Sequence, residues 1–533
     1  MQKWFLIFAM IVLSYTGNSQ TPQIKWTFDT HDASFGQSCT GDIDNDGFPE
    51  IIFGCYRNDS MVYALNAEDG SLLWKYNTHG PGTEGCNDVA PVIYDVDGDG
   101  NLEVIVPSSC NPNTFCFNGS DGSVKWICPT RGSDSPPTIG DVDNDGKPEI
   151  LHGEFGGYVI CINAENGSQS WEIAVDLNSW IQTAPTITDL NNDGQLDFVV
   201  ATWNSVSTDT NKVYAYRGDN HTLLWKYPIK DVVYHGTAIH DIDNDSKPEL
   251  VLSDYSGTVY VLNGENGTLA WDYCYNPSYY CGAPITMGDL DGDEECEIIF
   301  SCWFKIGVLR SDSSVMWTYN IPDYESAFRG VALADLDGDQ LPDLLFGTSG
   351  GLLIALKGTT GDTLWTMNLR ADYGNSLYEI DHAPVIADFD QDGVLDAFII
   401  GGHAEYPAFS NDFGRGYAVS LDIGVSSGWE MFQKNIQRNP SLCESSAGIE
   451  SHTPGALDEL TLSPNPASEF FTIEGITEPV QITATDITGK IIFKKACNEK
   501  SVLISTNDWP AGIYVLRVTG VKSVVWKKVV VEK

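Results

Sequence analysis

Positive charge is scarce in this chain, where 29 Lys and Arg stand against 74 Asp and Glu for a formal net charge of −45. Nucleic-acid backbones and anionic membrane surfaces need cations to displace counterions, so the balance speaks against both as partners. Long apolar runs are also missing. The run at residues 4–13 is too short to span a bilayer, and no later segment approaches the roughly 20 apolar residues of a spanning helix. The G-x-S-x-G elbow, the H-E-x-x-H helix motif and the phosphate-binding glycine loop are absent. Histidine is sparse. His79, His235, His382 and His403 stand singly in loops, and no catalytic residue is assigned.

The acidic residues are concentrated. The stretch "DIDNDGFPEIIFG" begins at Asp42, and related turns begin at Asp95, Asp141, Asp189, Asp241, Asp289, Asp335 and Asp388, at intervals of 46 to 53 residues. Four acids in each of eight loops, less one for Asn191, make 31 of the 74. A period near 50 residues is that of propellers or solenoids. In D-x-D-x-D-G-x-x-[DE], positions 1, 3, 5 and 9 and the position 7 carbonyl supply the oxygens that a hard dication such as calcium takes.

The candidate metal ligands are Asp42, Asp44, Asp46 and Glu50 in loop 1, Asp95, Asp97, Asp99 and Glu103 in loop 2, and Asp141, Asp143, Asp145 and Glu149 in loop 3. Loop 4 offers Asp189, Asn191, Asp193 and Asp197; loop 5 offers Asp241, Asp243, Asp245 and Glu249. Loop 6 offers Asp289, Asp291, Asp293 and Glu297, loop 7 Asp335, Asp337, Asp339 and Asp343, and loop 8 Asp388, Asp390, Asp392 and Asp396. Up to eight calcium ions are expected. Cys and His are absent from these positions, which disfavours zinc and copper. Position 6 needs a positive φ, natural for Gly47, Gly100, Gly146, Gly194 and Gly393, while the loops with Ser246, Glu294 and Gln340 there should be strained by about 1 kcal/mol or built differently.

Each turn lies between a short strand such as "APVIY" and a β-branched run such as "EIIFG". Segments such as "VYALNAEDGSLLWKY" then read as two strands joined by a glycine-bearing hairpin turn. Four strands per repeat predict the blades of an all-β, eight-bladed propeller. One Trp marks the last strand of each repeat: Trp74, Trp126, Trp171, Trp225, Trp271, Trp317, Trp365 and, less regularly, Trp429. These should fill the space between blades. Trp26 in "IKWTF" is a ninth copy without its own blade, so an N-terminal strand is expected to complete the last blade and remove the open edge. Seven blades plus one irregular repeat is the alternative, because the gap from Trp365 to Trp429 is the longest.

The acidic loops resemble the FG-GAP or VCBS repeats of integrin α-subunit propellers and of exported bacterial proteins, and the Trp-bearing half is similar to the tryptophan repeat of quinoprotein propellers. The tail carries "LTLSPNPASEFFTIEG", "ITATDITGKIIF", "WPAGIYVLRVTG" and "WKKVVVEK" in order. It resembles the type A C-terminal sorting domain of type IX secretion, which implies a small β-sandwich read by the export machinery as its partner. The organisation expected is a signal peptide at 1–19, a propeller at 20–433, a linker at 434–459 and the sorting domain at 460–533, in a protein exported through the periplasm to be secreted or surface-held.

Export allows disulfides, and the local candidates among 13 cysteines are Cys110/Cys116, Cys274/Cys281 and Cys296/Cys302. In a four-stranded meander the acidic turns share one end, and the longer variable loops share the other. Those loops are rich in aromatics. Trp180, Trp203, Tyr234, Tyr279, Tyr280, Trp303, Tyr373 and Tyr406 are the candidate ligand-binding residues, with Tyr324, Tyr378 and Phe409 beside them. Aromatic faces next to polar groups suit sugar rings or protein hot spots. The expectation is a binding or adhesion module for polysaccharide or a surface protein. Two enzyme readings compete. A rhamnogalacturonan-type lyase shares the calcium-rich loops without its recognisable opening and catalytic motifs, and a quinoprotein dehydrogenase shares the Trp repeat without the adjacent cysteine pair.

Overall fold

Strands of three to six residues, rich in Val and Ile and cut by glycine turns, can only cover their polar backbone by pairing with neighbours. The computed structural model describes residues 22–80, 85–204, 211–424 and 429–443, with most of the strands in 461–531. The expected signal peptide lies outside the described residues. The chain divides into two compact units, Met1–Gly448 and Ile449–Lys533.

The first unit is a ring of eight four-stranded antiparallel sheets. Blade 1 runs Cys39–Gly41, Glu50–Gly54, Met61–Asn66 and Leu72–Asn77. Its second strand is buried throughout, whereas its fourth alternates exposed and covered residues. Seven further blades at 92–129, 138–174, 186–228, 238–274, 286–320, 332–368 and 385–424 repeat this order. In the last, the outer strand comes from the other end of the chain: Gln23–Thr30 pairs antiparallel with Phe413–Gly424. The ring therefore has eight blades, closed as the ninth Trp copy predicts.

In blades 1, 2, 3, 5 and 7 the hairpin between third and fourth strands ends on a glycine at positive φ, such as Gly70 (φ 73°), whose N–H donates to Asn66 O at 2.8 Å; His221 and Ser313 hold the same setting in blades 4 and 6. The Trp of the preceding blade lies on that glycine. Trp74 lies over Gly122 and donates Nε1–H to Gly119 O at 2.5 Å. Trp26, Trp126, Trp225 and Trp317 do the same against Ala67, Ala164, Gly264 and Gly358. A β-carbon on Gly122 would meet the Trp74 ring at 2.6 Å, so glycine there is dictated by packing as well as by φ.

Trp429 is different. It is 2 % exposed and exchanges backbone hydrogen bonds with Ile386 in the innermost strand of blade 8. It opens a strap, 429–443, that visits the inner strands of several blades. Met431 bridges Cys39, the Ile436 carbonyl accepts Ile139 N–H at 3.0 Å, and Ser441 bridges Met287. Arg438 is fully buried and donates to the carbonyls of Phe432, Pro91 and Pro137. A disulfide, Cys296–Cys443, fastens the end of the strap to blade 6, and Cys281–Cys302 joins the loop entering that blade to the end of its second strand. These replace the three expected pairings, in which Cys110, Cys116 and Cys274 are free. The linker expected from residue 434 therefore does not begin there. Residues through 443 belong to the propeller, and 444–459 lie outside the described residues.

In the second unit Phe470–Glu474 pairs with Thr461–Ser463 and Ser501–Ser505. A second sheet orders Ile491–Cys497, Val480–Asp486, Gly512–Thr519 and Val524–Val531. Phe471, Ile473 and Ile504 of the first sheet join Ile482, Leu516, Val518 and Val529 of the second in one apolar cluster.

Candidate metal loops and the opposite aromatic face

All eight acidic turns follow the first strand of a blade and share three hydrogen bonds. The N–H at position 6 donates to the position 1 carboxylate, as in Gly47 to Asp42 (3.1 Å) and Gly146 to Asp141 (3.0 Å). The N–H at position 7 donates to position 5, as in Phe48 to Asp46 at 2.8 Å. The N–H at position 2 donates to the buried position 9 acid, as in Ile43 to Glu50 at 2.8 Å and Val142 to Glu149 at 3.0 Å. Loops 5, 6 and 7 keep this path although Ser246, Glu294 and Gln340 hold φ of 69°, 69° and 72°. Their strain is that of the positive-φ region, as the sequence predicts.

Carboxylates converge in these turns. One oxygen from each of Asp42, Asp44 and Glu50 lies within 4.8 Å of the others, and the same holds for Asp95, Asp97 and Glu103, for Asp141, Asp143 and Glu149, and for Asp241, Asp243 and Asp245. Burial, reinforced by the neighbouring acids, pushes the Glu50 and Glu149 carboxyls up to about 8, and Glu249 and Glu297 to about 7. Glu50 is 0 % exposed and its Oε1 has no hydrogen-bond partner, nor has Asp42 Oδ1. Oxygen-only donors with an orphaned buried oxygen fit a hard cation.

The loops are not equivalent. Lys125 Nζ reaches Asp97 (2.6 Å) and Glu103 (2.9 Å) in loop 2, and Lys25 reaches Asp390 (2.7 Å) and Asp396 (2.8 Å) in loop 8. Arg310 meets Asp291 at 3.0 Å and Glu297 at 3.4 Å in loop 6, Lys357 pairs with Asp337 and Asp339 in loop 7, and Arg217 with Asp193 in loop 4. Among the described residues no Lys or Arg lies within 4 Å of the ligand carboxylates of loops 1 and 3. The sequence reading missed these cations. Their signal is positional: Arg217, Arg310 and Lys357 stand where Asn66, Asn118, Asn163 and Asn263 end the third strands, and Lys25 and Lys125 precede the staple Trp.

At the other end of the blades the aromatic loops form a continuous belt. Trp203 meets Tyr234 (5.1 Å between ring centroids) and Tyr255 (5.0 Å); Tyr255 meets Tyr280 (5.4 Å), and Tyr280 and Tyr279 meet Trp303 (5.4 and 5.8 Å). Phe328 joins through Tyr234 at 5.7 Å. Trp180 enters through paired backbone hydrogen bonds with Trp203, its ring on Phe155 at 5.0 Å. Trp180 and Trp303 are 48 % and 41 % exposed, and Trp303 is held at a φ of 49°, a strained setting for a bulky residue. Three expected members lie elsewhere. Tyr373 stacks on Phe413, Tyr406 packs with Phe409 under Arg57, and Tyr378 is fully buried with its hydroxyl on Arg415 O. Tyr255 and Phe328 are belt members that the sequence reading did not single out. His235 and His382 are buried, and burial drives both below the ordinary histidine range.

The FG-GAP-like repeat model matches residues 42–106, 95–152, 141–200 and 189–252, and the secretion system C-terminal sorting domain model matches 461–532. The chain thus carries FG-GAP-like repeats and a type IX sorting domain, and it is exported to the cell surface or secreted. No helix among the described residues is long and apolar enough to cross a membrane. No curated protein sequence matches. Quinohemoprotein alcohol dehydrogenase from Comamonas testosteroni superposes at a TM-score of 0.54 with 11% identity, covering 76% of this chain and 77% of its own. A europium-containing methanol dehydrogenase does so at 0.53 with 12% identity, covering 75% and 93%, and Sqt1 of Saccharomyces cerevisiae at 0.53 with 11%, covering 75% and 99%. At such identities the likeness is one of fold alone.

Proposed function

We propose that this exported propeller is a calcium-stabilised binding protein that holds polysaccharide on its aromatic belt. The observation that carries the reading is the belt itself. Trp203, Tyr234, Tyr255, Tyr280 and Trp303 make one chain of ring contacts spanning loops of blades 4 to 6, on the face away from the acidic turns. Rigid aromatic faces cost little entropy to present, and successive rings suit successive sugars of a polymer. A surface protein would use the same anchors and is the second ligand class.

Calcium would supply structure rather than chemistry, neutralising the converged carboxylates and locking each turn between its first two strands. Loops 1 and 3 are the strongest sites. Their position 9 acids are buried, and among the described residues no side-chain cation neutralises them. In loops 2, 4, 6, 7 and 8 a Lys or Arg supplies part of that charge.

The test is electrophoresis of the full chain through native gels cast with soluble polysaccharides in millimolar calcium. Retardation by at least one polymer is expected. Unchanged mobility in every gel would remove the polysaccharide reading.

A further inference from the structure

Between blades 5 and 6 the Trp staple is not made. From Arg310 to Trp317 the blade 6 hairpin has eight residues, where Asn66 to Trp74, Asn263 to Trp271 and their counterparts have nine. Its turn is tighter. Ser313 N–H donates to Arg310 O at 3.0 Å, three residues back, whereas Gly70 N–H reaches four residues back to Asn66 O. Trp225 and Trp317 donate to carbonyls of the following blades at 2.6 and 2.7 Å, but among the described residues the Trp271 indole N–H has no hydrogen-bond partner. A cavity of about 330 Å³ opens there instead. Its walls include Asp243, Glu249, Ala270 and Trp271 of blade 5 and Ser311 and Asp312 of blade 6.

Other blades show what fills this place. Lys125 and Lys25, each the residue before a staple Trp, reach the position 3 and position 9 carboxylates of their own blades: Asp97 at 2.6 Å and Glu103 at 2.9 Å, Asp390 at 2.7 Å and Asp396 at 2.8 Å. In blade 5 the residue before the Trp is Ala270, and the two carboxylates are Asp243 and Glu249. The cavity is therefore the room that a lysine side chain takes up in blades 2 and 8. Nor does a cation come from the third strand, since Asn263 stands where blades 4, 6 and 7 have Arg217, Arg310 and Lys357. Lys247 turns to Asp245 and Glu265, at 3.8 and 3.2 Å. Among the described residues no Lys or Arg lies within 4 Å of Asp243 or Glu249, and Glu249 is only 2 % exposed.

A buried carboxylate facing other acids is costly without a counter-charge. An anion would be repelled. A neutral sugar ring could cover Trp271 but would leave the charge unmatched, whereas an alkylammonium meets both demands, its stem on the indole face and its head on the carboxylates. We propose that this cavity binds a primary alkylammonium from outside the chain, a lysine side chain or a free amine, in the place that Lys125 fills from within. Asp243 and Glu249 also belong to the calcium set expected of loop 5, so calcium competes for them. The site lies at the acidic end of the blades and does not depend on what the belt binds.

Saturation-transfer NMR on the full-length protein in chelator tests this with Nα-acetyl-lysine methylamide and with pentane-1,5-diamine. Both should take up saturation on the methylenes next to the ammonium, and millimolar calcium should reduce it. A stronger lysine derivative assigns the site to the side chain of a polypeptide; a stronger diamine assigns it to a free polyamine. Ala270→Lys should fill the cavity, weaken both amines at least about tenfold and melt above the wild type in chelator. Asp243→Asn should weaken them as far without filling the cavity. No saturation of either amine, or amines that bind both variants as they bind the wild type, overturns the proposal.

Discussion

Replacing Glu50 by Gln separates what calcium does in loop 1 from what the loop costs without it. Glu50 is fully buried, accepts Ile43 N–H at 2.8 Å through one oxygen and has no partner for the other. Its carboxyl is pushed up to about 8, burial being the main cause and the loop acids adding to it. At pH 7.5 without metal, folding must protonate it about three units above the range of a free glutamate, a cost of up to about 4 kcal/mol. Glutamine still accepts the N–H and carries no charge, so Glu50→Gln should be more stable than the wild type in chelator. Calcium reverses the comparison in one respect. A site with a Kd of ~10⁻⁴ M adds about 1.4 kcal/mol at ~1 mM calcium, and the variant should forgo that increment. On a ring of ~400 residues this is about 2 °C per site, within reach of scanning calorimetry in chelator and in calcium. A variant that melts below the wild type in chelator, or one that keeps the full calcium increment, would refute the metal account of loop 1.

The same acids set a pH dependence. Glu50, Glu149, Glu249 and Glu297 are all raised above their unfolded values, so the stability they permit is complete below about pH 4.5 and is lost as pH rises toward 8. The chelated propeller should therefore melt progressively lower from pH 5 to 8 and calcium should flatten the slope; a melting temperature that climbs over that range in chelator would contradict the burial argument. Trp74→Ala should cost about 3–5 kcal/mol by denaturant titration, because it removes a buried inter-blade staple, whereas half-exposed Trp180→Ala should cost under about 1 kcal/mol. Ending the chain after Cys443 should leave the propeller folded but trapped in the cell envelope, as read by surface labelling. Ending it after Gln433 also forfeits buried Arg438 and the 147-residue disulfide loop, a loss near 5 kcal/mol in calorimetry.

Much of the ring was legible because each blade repeats one physical problem. An acidic turn, two apolar strands and a hairpin ending in glycine and Trp recur at a period near 50 residues, and the unpaired Trp26 announces the closing strand. The strap was illegible for the opposite reason. "QKNIQRNPSLC" is polar, and polar sequence usually reads as linker, yet Arg438 is satisfied inside the ring by the carbonyls of Pro91 and Pro137 in loops entering blades 2 and 3 and of Phe432 in the strap itself. Cysteine pairing failed likewise, since Cys296 and Cys443 meet only once the strap is threaded. Composition located the aromatic face, but which rings touch depended on loop paths. Tyr378 turned inward, and Tyr255, beside a second strand, turned out to be central. The cations that reach loops 2, 4, 6, 7 and 8 were visible as departures from Asn at the third-strand ends or as Lys before Trp, and only their reach showed what they do.

The account stands most directly on whether the belt binds sugar. A glycan array probed in calcium with the full chain, with the double variant Trp203→Ala/Trp303→Ala and with Trp74→Phe gives the answer in one measurement. The account predicts binding to a defined polysaccharide class that the Trp74 variant keeps and the belt variant loses by about tenfold or more, at about 1.4 kcal/mol per decade. An array that stays dark for the folded, calcium-loaded chain, or one on which the belt variant binds as well as the wild type, would contradict it.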